Sequence, residues 1–341
     1  MSYFDKLKQK YLNTDKKPKP TRIEPEHECN HDEEELPPPS TTPSDLVSLP
    51  STILPTDDTD TQPYKSVVGT PRFGTHVSVK NGFKEALEYA KSKGYNCAQL
   101  FASSPRSSKI TKQIDPKDAE QCKKYIEEHD MELWIHCAYT INFCRPCNND
   151  TKYLRDAVVQ DMKKAIALGA LGCTIHVGKT NCSAGVIESK DALPNFKQNI
   201  ESTITELLKD KPETLPWLLI ETAAGQGTET PVTVQGLANL YNLIEPTYRK
   251  YIGFCVDTCH VFASGECDMR DPDKIDAFIA LWNSKIGWEH VKLIHYNDSE
   301  CEFKSRKDRH APIGEGCAGK TGLDHFKRLC ILTGKSMVTE Y

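Results

Sequence analysis

Histidines and carboxylates recur along this chain directly after short apolar runs, at the positions where β-strands would end. The set is His136, His176, Glu221, Asp257, His295 and Glu340. Imidazole and carboxylate groups together suit zinc and other borderline divalent metals, whereas calcium and magnesium prefer oxygen ligands alone. A single histidine is more often a hydrogen-bonded structural residue, but a shared position at successive strand ends favours a metal cluster.

Three further candidate ligands follow the sixth and seventh apolar runs. His260 comes shortly after Asp257, and Asp308 and His310 come after His295. At three or four protein ligands per zinc, with one or two bridging carboxylates, the whole set would hold two or three ions. Helix capping or salt bridging is the alternative role for the nearby acidic residues Asp298 and Asp324.

Eight apolar or β-branched runs alternate with segments of helical periodicity from residue 72 onward. The predicted strands are Phe73–Val79, Cys97–Phe101, Leu133–Cys137, Cys173–Val177, Leu218–Glu221, Gly253–Asp257, Val291–Tyr296 and Met337–Glu340. Helices are predicted between them, for example at Gly82–Lys93, Leu154–Leu168, Phe196–Leu208, Val232–Leu243 and Asp273–Trp282. This alternation predicts an α/β fold, a (β/α)8 TIM barrel. All strands of such a barrel run the same way, so the candidate ligands would converge on one rim.

The first 68 residues have a different composition from the rest. They are basic from Lys6 to Arg22, acidic from His31 to Glu35, and rich in proline. Such a segment cannot bury a core, so it predicts a disordered extension, with the barrel domain at residues 69–341.

The overall composition limits the classes of partner and compartment. The 341-residue chain has a net charge of -5, so attraction for nucleic acid would have to be local. Its 14 cysteines are scattered and no signal peptide precedes them, which predicts reduced thiols in an intracellular protein of the nucleus or the cytoplasm. No apolar stretch reaches the ~18 residues of a membrane span.

An ordered series of local motifs resembles the signature segments of the endonuclease IV family. The motifs are Phe73–Ser78, His136–Asn142, Ile220–Gly227, Asp257–His260, His295–Asp298, Asp308–His310 and Gly314–Gly316. Each motif alone is a weak signal, but the ordered set is specific and covers essentially all of residues 72–341.

The resemblance implies a cluster of three Zn²⁺ ions. The first would be held by His136, His176 and Glu221, the second by Glu221, Asp257, His295 and Glu340, and the third by His260, Asp308 and His310. Three zinc ions carry about six positive charges against four ligand carboxylates, which would leave about +2 at the rim to receive a phosphodiester. The positive electrostatic potential that attracts DNA would then come from the metal ions rather than from lysine side chains.

The activity that the resemblance implies is that of an apurinic/apyrimidinic endonuclease in DNA base excision repair. The enzyme would hydrolyse double-stranded DNA 5′ to an abasic site, leaving a 3′-hydroxyl and a 5′-deoxyribose phosphate, with some 3′-end phosphodiesterase activity. Zinc would acidify the attacking water and neutralise the phosphate, and Glu221 would hold two of the ions at the required spacing. We expect it to act as a monomer.

An abasic sugar must leave the duplex to reach such a pocket, and the family inserts side chains into the gap. By position these side chains would be Arg106 and Tyr139, with Thr140 standing where the family commonly has an apolar wedge. A pocket-wall role is the alternative for Tyr139. His76 is predicted to orient a ligand or the phosphate rather than to bind metal, with core packing as the alternative.

Two features depart from the family pattern. Cys144 and Cys147 form a lone C-x-x-C pair, predicted to be ordinary loop cysteines, with a disulfide that braces the Tyr139 loop as the alternative. The sequence stops at Tyr341, where the family continues into a closing helix, so we expect either a fragment or another segment covering the last strand.

Two other functions fit parts of the pattern. Sugar isomerases of the xylose isomerase type use two metals on a similar barrel, but have no use for His260, Asp308 and His310 as a third site. A zinc-binding scaffold or DNA-damage sensor without turnover would keep the fold and the ligands. Cleavage of an abasic duplex separates these functions from the nuclease.

Overall fold

Eight parallel strands close into a barrel in the computed structural model, which describes residues 70–109, 114–182 and 185–341. The strands are β1 Phe73–His76, β2 Cys97–Leu100, β3 Glu132–His136, β4 Gly172–Ile175, β5 Trp217–Glu221, β6 Ile252–Asp257, β7 Val291–His295 and β8 Ser336–Thr339. Neighbours in the barrel are neighbours in sequence, and β8 closes the ring against β1. The predicted TIM barrel is therefore confirmed, while the predicted disordered extension at residues 1–68 lies outside the described residues.

Helices connect each strand to the next and cover the outside of the barrel. They are α1 Phe83–Ser92, α2 Pro116–His129, α3 Lys152–Leu168, α4 Ser189–Leu208, α5 Val234–Leu243, α6 Pro272–Lys285 and α7 Lys320–Leu332. A short helix, Thr258–Ser264, follows β6 directly. Within the described part of the chain, no helix combines the length and apolar character needed to cross a lipid bilayer.

Local sequence explains where the covering helices begin. Asp115 and Asp271 each accept a hydrogen bond from a first-turn backbone N–H, and each is followed by a proline at the first helical position. Helix α4 begins at Ser189 rather than at the predicted Phe196, because Pro194 is accommodated inside the helix. Pro194 lies in the second turn, where it removes one backbone hydrogen bond from the helix.

The barrel interior has an apolar layer to which most strands contribute one residue. Its members are Cys97, Trp134, Leu219, Cys255, Leu293 and Val338, all at most 2% exposed. A second and larger core lies between the strands and the helices. Strands buried on both faces need apolar residues at nearly every position, which explains the continuous apolar runs in the sequence.

Gly74 is required where β1 approaches β2. A Cβ atom at this position would lie 1.7 Å from the carbonyl oxygen of Cys97, which is a backbone atom of a central strand and cannot move away cheaply. We expect Gly74→Ala to lower the free energy of unfolding by at least ~3 kcal/mol, because the strands must separate to admit the methyl group. Chemical denaturation of the two proteins measures this difference.

Gly94 provides the matched control for that substitution. It has a positive φ of 83°, but a Cβ atom there would meet nothing within 4 Å. We expect Gly94→Ala to cost only the backbone strain of about 1 kcal/mol. Equal losses from the two substitutions would contradict the close approach of β1 to β2.

Candidate metal centre

Five of the candidate ligands, together with Gln99, form a polar layer immediately above the apolar layer of the barrel interior. Side chains two positions apart on a strand lie on the same face. The residues two positions after the apolar layer are Gln99, His136, Glu221, Asp257, His295 and Glu340. Four of the predicted ligands are the last residues of their strands, while His176 and Glu340 lie one residue beyond β4 and β8.

Glu221 lies at the centre of the cluster and is buried. Its Oε2 atom is 3.4 Å from Nε2 of His136 and 3.4 Å from Nε2 of His176. Its Oε1 atom is 2.9 Å from Nδ1 of His295 and 3.4 Å from Nδ1 of His260. One carboxylate thus contacts imidazoles from all three predicted ligand groups.

In each of the three predicted groups, the ligand atoms lie within 4.8 Å of one another. The groups are His136 with His176 and Glu221, Glu221 with Asp257, His295 and Glu340, and His260 with Asp308 and His310. Asp308 Oδ1 is 3.1 Å from His260 Nε2 and 3.2 Å from His310 Nε2. Asp257 Oδ2 is 3.5 Å from His310 Nε2 and so joins the second group to the third.

Several of these ligand atoms are buried without hydrogen bonds of acceptable geometry. Among the described residues, Glu221 Oε2, His260 Nε2 and His310 Nε2 have no hydrogen-bond partner. Buried polar atoms normally have hydrogen-bond partners. Unpartnered atoms that face one another therefore indicate a ligand, such as a cation, between them. Nitrogen and oxygen donors in this mixture fit divalent zinc.

The electrostatics of the cluster also favour bound cations. Burial alone would lower the pKa of His310, but the charges of Asp257 and Asp308 raise it to about 9. Burial would raise the pKa of Asp308, but His260 and His310 hold it well below its usual range. The carboxylates therefore draw positive charge into a buried space, which metal ions would supply.

Backbone carbonyl groups fix the orientation of two of the imidazoles. His136 Nδ1 lies 2.7 Å from the carbonyl oxygen of Cys137, and His260 Nδ1 lies 2.8 Å from that of Thr222. A carbonyl oxygen only accepts, so each Nδ1 carries the proton. In the neutral imidazole Nε2 is then the unprotonated nitrogen, and it faces the cluster, as metal ligation requires.

Three amide side chains support the ligands and were not predicted. Asn297 donates to Asp257 Oδ2 at 2.8 Å and to Glu340 Oε2 at 3.3 Å, and its oxygen accepts from the backbone N–H of Glu340 at 2.9 Å. Gln226 accepts from the backbone N–H of Asp308 at 3.1 Å. Gln99, the third amide, contacts His295 and Glu340.

Two further side chains, those of Asp298 and Cys259, lie near the cluster. Asp298 accepts hydrogen bonds from the backbone N–H groups of Gly314, Gly316 and Ala318, and so orders the following loop rather than capping a helix. The Sγ atom of Cys259 lies near Asp257 and His310. Burial and the Asp257 charge raise the pKa of Cys259 to about 12.

A cavity of about 570 Å³ opens above the cluster. Tyr139 and Thr140 line it, and the ring of Tyr139 is 54% exposed and makes edge contacts with His136 and His176. Arg106 is exposed on the loop after β2 but does not line this cavity. The two loops are joined, because the backbone N–H of Tyr139 donates to the carbonyl oxygen of Pro105 at 2.9 Å.

His76 lies beside the second ligand group rather than in it. Its Nδ1 atom is 3.9 Å from Glu340 Oε1, and its ring packs on Phe101 at 4.6 Å between centroids. Burial and the neighbouring His136 lower its pKa to about 3, which leaves the imidazole neutral. This placement suits the predicted orienting role.

Cys144 and Cys147 are both free thiols. Cys144 is buried, with its sulfur 3.6 Å from the carbonyl oxygen of Thr230. The structure therefore has ordinary loop cysteines here and not the alternative disulfide.

Comparison with known proteins places the chain and its fold in a family. The sequence matches the family described as "Xylose isomerase-like TIM barrel" over residues 87–329. The putative endonuclease 4 of Acanthamoeba polyphaga mimivirus is 32% identical over 257 residues, which are 74% of this chain and 80% of the relative. The probable endonuclease 4 of Chloroflexus aggregans is 33% identical over 256 residues, which are 73% and 83% of the two chains.

Solved structures agree with the sequence relatives. Endonuclease IV from Thermus thermophilus superposes with a TM-score of 0.67 and 25% identity over 80% of this chain and 92% of its own. A D-tagatose 3-epimerase-like protein, at 14% identity and a TM-score of 0.57 over 79% of this chain and 89% of its own, shares the fold alone. Since these relatives are 32% and 33% identical to the chain over 74% and 73% of its length, the chain belongs to the endonuclease IV family.

Proposed function

We propose that this protein is a zinc-dependent apurinic/apyrimidinic endonuclease of DNA base excision repair. It would cut double-stranded DNA 5′ to an abasic site and leave a 3′-hydroxyl and a 5′-deoxyribose phosphate. The observation that carries the proposal is the third ligand group, formed by His260, Asp308 and His310 beside the two groups that share Glu221. A sugar isomerase that uses two metals has no role for this third group.

Different residues of the site would bind the metal ions and attract the phosphate in phosphodiester hydrolysis. Zinc, when bound, would supply Lewis-acid stabilisation of the phosphate charge and lower the pKa of the attacking water. Glu221 holds the imidazoles of His136, His176 and His295 around one point. Lys179 and Arg309 line the cavity and place positive charge where phosphates would enter.

Tyr139 supports the proposed specificity for abasic DNA. Its exposed ring stands at the cavity wall beside two proposed ligands, where it can stack on a sugar or on the neighbouring base. An abasic nucleotide costs less to turn out of the duplex than a paired one, so a pocket of this kind selects it. We extend the proposal to 3′-end phosphodiesters, which present the same bond to the same groups.

The proposal is tested on a labelled duplex with a single tetrahydrofuran abasic mimic. We expect one nick 5′ to the mimic, no cleavage of the matched undamaged duplex, loss of the nick after chelation and recovery on addition of Zn²⁺. Cleavage that survives full metal removal would contradict the zinc dependence. Tight binding to the mimic without any nick would favour the damage-sensor alternative.

A further inference from the structure

Gln99 is a buried amide on β2, which, like β1, contributes no proposed metal ligand. It is 0% exposed and belongs to the polar layer directly above Cys97. A buried amide is costly unless its donors and its acceptor are satisfied. The partners of Gln99 therefore show what the residue does.

The hydrogen bonds of Gln99 fix the orientation of its amide. Its Nε2 atom is 2.8 Å from Oε1 of Glu340, and a carboxylate oxygen can only accept, so the amide nitrogen must face Glu340. The same nitrogen lies 3.3 Å from Nδ1 of His76, which takes the second N–H. The amide oxygen is left facing Nε2 of His295 at 2.9 Å.

This orientation selects the protonation of His295. An amide oxygen has no hydrogen to donate, so Nε2 of His295 must carry the proton that joins them. The opposite nitrogen, Nδ1, faces Glu221 Oε1 at 2.9 Å, Glu340 Oε2 at 3.1 Å and Asp257 Oδ2 at 3.8 Å. The other neutral tautomer, with its proton on Nδ1, could not bind metal through Nδ1, and its Nε2 lone pair would face the lone pairs of the Gln99 oxygen.

Glu340 is oriented by the same amide. With Oε1 held by Gln99, its other oxygen, Oε2, lies toward His295 and Asn297. In the Nε2-protonated tautomer of His295, the carboxylate and the imidazole thus direct metal-binding atoms to one point, and the single side chain of Gln99 on β2 sets both of them. Such support of metal ligands typically changes metal affinity by about 10- to 100-fold.

We infer that Gln99 is a positioning residue for the second cation site, where it selects the Nε2-protonated tautomer of His295 and aims Glu340. The inference rests on the proposed function, because it assumes that His295 and Glu340 bind zinc. Strand β2 supplies no proposed metal ligand, but through Gln99 it orients two of them.

Gln99→Met tests this role, because methionine keeps a similar volume and loses the amide. We expect one zinc to bind about 10- to 100-fold more weakly, so that dialysis against a chelator removes it while the other sites stay filled. Zinc content per chain and competition with a chromophoric chelator measure the change, and Co²⁺ absorption reports the altered ligand geometry. Gln160→Met is the matched control, since it makes the same substitution at a buried glutamine on α3, outside the three ligand groups.

A measurement on the unaltered protein covers the case in which Gln99→Met does not fold. NMR of zinc-loaded protein labelled with ¹⁵N-histidine reads the tautomer of His295, and we expect the proton on Nε2. A proton on Nδ1 would overturn the inference, as would unchanged zinc affinity and an unchanged Co²⁺ spectrum in Gln99→Met. Failure of the wild-type protein to bind zinc at all is a different result, which would overturn the proposed function instead.

Discussion

Replacing Glu221 by glutamine is expected to reduce nicking of the abasic duplex by at least about 1,000-fold. Glutamine keeps the shape of the side chain but removes the charge that lies against four imidazoles from three ligand groups. A neutral amide cannot bridge two cations, so the substitution should weaken two zinc sites together. Single-turnover cleavage measures the rate, and elemental analysis of the same sample measures the zinc content.

Glu128→Gln is the matched control for the Glu221 substitution. Glu128 is an exposed carboxylate on α2 whose ion pair with Lys124 spans 3.6 Å at the surface, so its loss should change neither rate nor zinc content. Glu221→Gln protein that keeps its zinc and cleaves at the wild-type rate would contradict the central role of this carboxylate. A protein that keeps its zinc but loses activity would limit that role to the chemical step.

The convergence of the strand-end candidate ligands could be predicted from the sequence because two independent patterns coincide on them. Apolar runs mark strands that are buried on both faces, and a parallel barrel brings the ends of all its strands to one rim. Histidine or an acidic residue at those ends therefore had to converge, wherever the exact strand boundary fell. The boundaries were less predictable, and His176 and Glu340 lie just beyond their strands.

The supporting amides could not be found in the same way. Glutamine and asparagine residues that support metal ligands follow no characteristic spacing in a sequence. A single glutamine such as Gln99 inside an apolar strand therefore looks like a polar residue that the strand merely tolerates. A signal existed nonetheless, because Gln99 stands two positions after Cys97, as His136 does after Trp134. Comparing the strands position by position along the barrel interior would have placed Gln99 in the same layer as the candidate ligands.

The predicted DNA contacts depend on loop conformation, which strand periodicity does not determine. Tyr139 lies at the cavity because it follows a ligand by three residues on the same loop. Arg106 is exposed outside the cavity lining, and its position relative to DNA depends on the loop after β2. The contacts of Arg106, Tyr139 and Thr140 with DNA accordingly stay predictions.

Asp308→Ala is expected to remove one zinc of about three and to slow abasic cleavage by about 100-fold, the size of effect seen when one stabiliser of transition-state charge is lost. Asp308 contacts His260 and His310 but, unlike Glu221, is partly exposed, with 33% of its side chain accessible. Its removal should therefore leave the two groups around Glu221 and the thermal stability nearly unchanged. Zinc analysis, cleavage rate and a melting curve on one preparation test all three expectations.

Glu302→Ala on the same loop is the control, since the side chain of Glu302 is 77% exposed and its ion pair with Arg270 spans 3.9 Å. If the third group serves the phosphodiester, Asp308→Ala and Glu302→Ala will differ in rate although both remove one negative charge near the rim. Equal rates would mean that the charge of the loop matters and the third cation does not. Two metal ions would then be sufficient for activity. The third ligand group would no longer distinguish this protein from barrel enzymes that act on sugars.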